Sequence, residues 1–229
     1  MRESIRSSDL YRLMSWLSPA FPVGSFAYSH GLEYAVEAER VLDGAGLKEW
    51  IRGILLHGSC QVDAVLFRNA WHAARDTDRA RLREVAEIAA ASRGTRELAL
   101  ESGAQGEAFV SAVAKAWDAA GLAPLTEPSC PASYCVAVGW ACGAHGIPLE
   151  PALQTYIQAF AANLVSAGMR LIPLGQSDGQ TVLVRLEPVV LEAAQRSLAT
   201  SLEDMGTMTP MVDWSSMKHE TQHTRLFRS

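Results

Sequence analysis

The sequence predicts an all-α fold, a single compact multi-helix domain followed by a flexible C-terminal tail. Three observations carry that prediction. Apolar residues recur three and four positions apart along most of the chain, the spacing of one helix face. The only run that would also suit a strand, Thr181, Val182 and Val184, has no second strand-like run to pair with. Clusters of Gly and Pro cut the periodic stretches into helix-sized lengths.

Leu10, Leu13, Met14 and Leu17 stand at i, i+3, i+4 and i+7, which predicts an amphipathic first helix with Asp9 as its N-cap. Pro19 and Pro22 end it. The loop that follows, 18–25, holds Phe21 and Val23, apolar residues in a connection where polar ones are the rule, so something should cover them. A second helix runs through Leu32 and Ala35 to a break at Gly44, Ala45 and Gly46. Leu47, Trp50, Ile51, Ile54 and Leu55 mark a third, and Val62, Val65, Leu66 and Asn69 continue the period.

Between about 78 and 120 the composition turns to Ala, Arg, Glu and Leu, with Leu82, Val85 and Ala89 on one stripe and Phe109, Val110, Val113 and Trp117 on another. That predicts two more helices. A turn through Pro124 and Pro128 separates them from an apolar helix near Tyr134 to Cys142. Leu153, Tyr156, Ile157, Phe160 and Leu164 form the next. After a second apolar loop, 171–180, Asp178 caps a long helix towards Glu203 that Pro188 should kink or break. Beyond Asp204 the pattern fails, which places a helical body at 1–204 and a tail at 205–229 that begins as a flexible linker.

Composition limits what such a chain does. At 229 residues, with 48% hydrophobic and 20% charged residues, it is long enough to bury a substantial core. The formal charge of -5, with Arg and Lys scattered among acids, provides no basic stripe for nucleic acid. No stretch reaches the roughly 18 apolar residues of a membrane span, and Arg2, Glu3, Arg6 and Asp9 stand where a signal peptide needs an apolar run. A cytoplasmic protein is expected. Cys60, Cys130, Cys135 and Cys142 form no C-x-x-C pair, and three of them lie in an Ala-rich apolar segment, as buried structural thiols do.

One spelling suggests catalysis. His219, Glu220 and His223 read H-E-x-x-H, which on a helix puts two imidazoles on one face to hold zinc, with the glutamate as general base. A metal-dependent hydrolase is therefore the alternative reading. It lacks support, because only six residues follow His223, and a third ligand would have to come from His30, His57 or a second subunit. Ser25, Ser29 and Ser59 lack a nucleophile-elbow setting, and no Gly-rich loop ends in Lys followed by Ser or Thr. What stands out instead is apolar residues where exposed structure is expected: Phe21, then Leu171, Ile172 and Leu174, then Trp214, Met217, Leu226 and Phe227. Such residues mark interfaces, which predicts a protein that docks onto others and has no catalysis of its own.

Leu17 to Phe26, with Gly31, Leu32 and Glu33 after it, resembles the N-terminal motif of the UreF-type urease accessory proteins. Residues 173–180 are similar to that family's central loop, and 216–222 with 225–229 to its C-terminal tail, so the likeness runs in order over essentially the whole chain. The resemblance implies an all-α, homodimeric chaperone that binds a UreD/UreH-type scaffold protein, recruits the UreG-type GTPase and so delivers nickel to apo-urease. It implies no tightly bound cofactor, only nickel in transit through the assembled complex, and a tail that orders on partner binding. Carried onto this sequence, its partner-binding positions are Phe21, Gly24, Ser25, Tyr28, Glu33, Gly175, Gln176, Met217, His219, Glu220, Arg225, Leu226 and Phe227. Position 223 is commonly tyrosine in that pattern, so His223, and with it the H-E-x-x-H spelling, is incidental.

Overall fold

The centre of the molecule is a pair of helices that approach closely because one of them carries glycine at the contact. The computed structural model describes residues 4–117, 119–127 and 130–229. Among these there is no strand. Arg2, Glu3 and Pro128, used above, lie outside the described residues. Helix α1 spans Ser7–Trp16, α2 Leu32–Glu37, α3 Gly44–His57, α4 Ser59–Arg75, α5 Arg79–Ala91 and α6 Arg96–Ala116. A short α7, Ala119–Leu122, is followed by α8 Tyr134–Ala144, α9 Leu149–Leu171, α10 Gln176–Ala199 and α11 Pro210–His219.

Helix α8 is buried from Cys135 to Gly143 and lies along α4, its principal neighbour. A Cβ on Gly139 would stand 2.4 Å from the Phe67 carbonyl oxygen, and one on Gly143 2.5 Å from that of Trp71, so the backbones meet at a distance that side chains forbid. Helices α3, α5, α9 and α10 also pack on α4, while α6 packs on α8. All four thiols are buried, and burial pushes the Cys60, Cys135 and Cys142 thiols well up, which holds them protonated.

Local chemistry explains most boundaries. The Asp43 side chain accepts the Gly46 N–H, Asp78 that of Arg81 and Thr95 that of Leu98, each an N-cap. Gly44, Ala45 and Gly46 are thus the first turn of α3 and not a gap between helices. Arg68 closes the far end of α10: its guanidinium donates to the carbonyls of Ser197, Leu198 and Thr200 at 2.7, 2.8 and 2.7 Å.

Three elements differ from the sequence expectation. In α1 the buried face is Asp9, Leu13 and Trp16, while Leu10 and Met14 are exposed. Asp9 is not a cap but a buried carboxylate that accepts from Nε and Nη2 of Arg6, each at 2.8 Å. Helix α10 runs through Pro188, because Pro188 and Val184 face water and the carbonyl that loses its partner can be solvated there. And 210–219, expected to be irregular, is α11.

Candidate docking site around the C-terminal segment

Helix α11 explains why hydrophobic periodicity misses it. Its buried residues are Val212, Ser215, Ser216 and His219, a full i, i+3, i+4, i+7 face that is polar at three of four positions. Small hydroxyls allow the helix to sit close to the chain: a Cβ on Gly31 would lie 2.8 Å from the Ser216 backbone nitrogen. Gly31 has φ +77, so glycine suits this position both sterically and conformationally. Ser216 Oγ and Thr95 Oγ1 share a hydrogen bond of 2.7 Å, which ties α11 to the cap of α6.

Three glutamates from the body receive the segment. The Glu33 carboxylate accepts the backbone N–H groups of Leu226 at 2.6 Å and Phe227 at 2.9 Å, and faces His219 Nε2 at 3.0 Å. Glu97 faces His219 Nδ1 at 2.7 Å and accepts from the Arg225 guanidinium at 2.8 Å. Glu101 accepts the Ser229 hydroxyl at 2.7 Å. An ionised carboxylate only accepts hydrogen bonds, so the His219 ring serves both glutamates when both its nitrogens carry protons. Further along, the Arg228 N–H donates to the Ala27 carbonyl and the Ser29 N–H to the Ser229 carbonyl, each at 2.8 Å. Arg170 donates to the Phe26 carbonyl at 2.7 Å and lies 4.3 Å over the Phe227 ring. Burial draws the pKa of this guanidinium down from its ordinary value.

The structure brings together Glu33, His219, Glu220, Arg225 and Phe227 of the residues named from sequence. Glu220 accepts the Arg96 N–H at 3.1 Å, and Tyr28 is buried beside the paired Ala27 and Ser29. Phe21 is half-buried against Phe109, with ring centroids 5.5 Å apart, which answers what covers the first apolar loop. Gly24 takes φ +73 and leads into a single 3-10 turn that begins at Ser25. Met217 and Leu226 point away from the body, 50% and 63% exposed. At the second loop motif the Gly175 N–H donates to Asp178 at 2.9 Å at the start of α10, and Leu174 beside it lies against Gly44 of α3. Sequence reasoning missed Glu97 and Glu101, since both sit in the Ala, Arg, Glu and Leu stretch with no motif beside them.

This arrangement does not make a zinc site of H-E-x-x-H. Both ring nitrogens of His219 face glutamates, and α11 ends at His219, so exposed His223 is not one helical turn along the same face. Among the described residues no group of three or more His, Cys, Asp or Glu side chains is arranged to hold a metal ion. Nor is any described helix long and apolar enough to cross a membrane.

An all-α body with its own C-terminal segment docked through buried carboxylates is the architecture, and similarity to named proteins places it among the urease accessory proteins. The family model described as UreF matches residues 41–187. The chain is 50% identical over 220 residues to the urease accessory protein UreF of Bradyrhizobium sp. (strain ORS 278), covering 96% of this chain and 92% of that one. It is 48% identical over 225 residues to the protein of the same name from Rhodopseudomonas palustris (strain BisB5), covering 98% and 93%. The chain belongs to the UreF family.

Proposed function

We propose that this protein serves urease maturation as a non-catalytic accessory protein in the cytoplasm. In this reading a homodimer binds a UreD/UreH-type scaffold protein and with it recruits the UreG-type GTPase for nickel insertion into apo-urease. It holds no tight cofactor, and nickel is cargo that passes through the assembled complex. Family membership supports the maturation role. The observation that carries the docking role is the C-terminal segment itself, whose backbone and His219 are held by Glu33 and Glu97 while Met217 and Leu226 are left facing outward. Exposed apolar residues on a segment fixed by buried polar contacts suit recognition by a partner, because their geometry is set before the partner arrives.

The test is co-purification with the scaffold-type and GTPase-type proteins, comparing the full chain with one truncated after Asp204, both checked for helical content and melting. A ternary complex recovered only with the full chain is the expected result. Equal recovery with the truncated chain would remove the tail from the docking surface. No recovery with either form would overturn the accessory role.

A further inference from the structure

A cavity of about 250 Å³ lies behind the 17–30 loop, between α6 and α9. Exposed Pro19 and Phe26 belong to its lining, so it opens to solvent on the loop side. It shares Glu101 with the seat of the C-terminal segment, while His30, Ser102, Tyr134, Tyr156 and Phe160 of its lining take no part in that seat. Its chemistry is uneven. The walls include the rings of Phe26, Tyr134, Tyr156 and Phe160. Burial pushes both tyrosine phenols up, so they stay neutral. The charged lining residues are Asp63, Arg93 and Glu101. Asp63 and Arg93 neutralise each other at 2.7 Å in a buried pair; burial opposes the Arg93 charge, but the carboxylate prevails and holds its pKa above the ordinary value.

Glu101 is left without a cationic partner of that quality. Its oxygens accept from two neutral donors, Gln105 Nε2 at 3.2 Å and Ser229 Oγ at 2.7 Å. His30 Nδ1 stands 3.5 Å away and makes no hydrogen bond to it, whereas a direct imidazolium–carboxylate contact closes to about 2.8 Å. The other ring nitrogen of His30 is 2.6 Å from Ser59 Oγ. Nδ1 itself is buried without a hydrogen-bond partner, and it accepts from a ligand when the ring proton sits on the Ser59 side. Ser102 Oγ, also in the lining, is buried and likewise has no partner. His30 is only 5% exposed and Ser102 8%, so neither group is satisfied by bulk water.

From this we infer a binding site for a small organic ammonium ion, one whose apolar body lies among the four rings while its head group is held by Glu101, His30 Nδ1 and Ser102 Oγ. A primary ammonium offers three donors and no acceptor, and these three groups offer a charged and two neutral acceptors. Ring faces add attraction for the cation, and a mostly apolar cavity with a few convergent polar groups is the usual form of a small-molecule site. A carboxylate ligand would meet Glu101 unfavourably, and a neutral alcohol would leave its charge uncompensated. The inference does not rest on the docking role, although Glu101 takes part in both.

The experiment titrates the full chain with benzylammonium, benzyl alcohol and benzoate at one ionic strength, by calorimetry and by backbone NMR. Benzylammonium should bind at least about tenfold more tightly than benzyl alcohol, shifting the amides of His30, Ser102 and Phe160, with no binding of benzoate. Glu101→Gln should abolish the preference for the amine. Because Glu101 also touches Ser229, Ala159→Phe serves as a second variant: it fills the cavity from α9 and should block amine and alcohol alike. Equal binding of amine and alcohol, shifts elsewhere on the molecule, amine binding undiminished in Ala159→Phe, or no binding of any probe would each overturn the inference.

Discussion

More of the C-terminal contacts converge on Glu33 than on any other residue of the body. Two backbone N–H groups and one imidazole nitrogen meet one buried carboxylate, so removing its charge leaves three groups short of a strong acceptor. Glu33→Gln should weaken docking of 220–229 by about 3 kcal/mol, roughly a hundredfold rise in the open population. Amide hydrogen exchange at Leu226 and Phe227 reads this directly, and exchange in α4 and α8 should stay unchanged. Glu37→Gln is the control, because Glu37 meets Gln222 at the surface and its loss should cost less than about 0.5 kcal/mol. If both variants behave alike, burial of the Glu33 carboxylate is not what holds the segment.

At the scale of elements, two glycines with the same backbone conformation make opposite predictions. Gly24 and Gly31 have φ +73 and +77, but a Cβ at Gly24 meets nothing within 4 Å, whereas one at Gly31 runs into α11. Gly24→Ala should therefore cost only the left-handed conformation, about 1 kcal/mol in denaturant unfolding. Gly31→Ala adds a backbone clash and should cost about 3 kcal/mol or expel α11, seen as lost protection from 210 to 219. Equal effects of the two would mean that α11 is not seated on this glycine. The same helix shows where sequence reading runs out. The order and most of the extents of α3 to α6, α8 and α9 follow from apolar period. Helix α11 does not, because its period is written in Ser215, Ser216 and His219, whose burial depends on partners distant in the chain. Pro188 misled in the other direction, since a proline on the wet face of a packed helix removes a hydrogen bond that water can replace.

For the whole molecule, the ordered motifs were legible as a set of positions but not as a geometry. Glu33, His219 and Arg225 stood out in sequence, and the fold joins Glu33 to His219 directly and His219 to Arg225 through Glu97, which has no distinguishing neighbours in the chain. The Gly175 motif begins α10 with the Gly175 N–H donated to Asp178, a geometry that its sequence alone did not give. The placement of the last residues also divides a prediction. Leu226 is exposed, while Phe227 is buried under Arg170. Leu226→Ala should leave exchange in 220–229 unchanged and weaken capture of the scaffold-type protein about tenfold or more, as loss of an apolar anchor does. Phe227→Ala should first free the segment from the body, by about 3 kcal/mol. Capture unaffected by Leu226→Ala would move the contact elsewhere.

The pairing of Ala27 and Ser29 with Arg228 and Ser229 joins residues about two hundred positions apart in the chain. During synthesis the N-terminal partner of this pair leaves the ribosome first and waits for the other, for roughly 10 to 40 s at ordinary elongation rates. Until then the carboxylates of Glu33, Glu97 and Glu101 have no segment to receive. The contacts of these three glutamates with His219, Arg225, Leu226, Phe227 and Ser229 therefore form only after residues 219–229 have emerged.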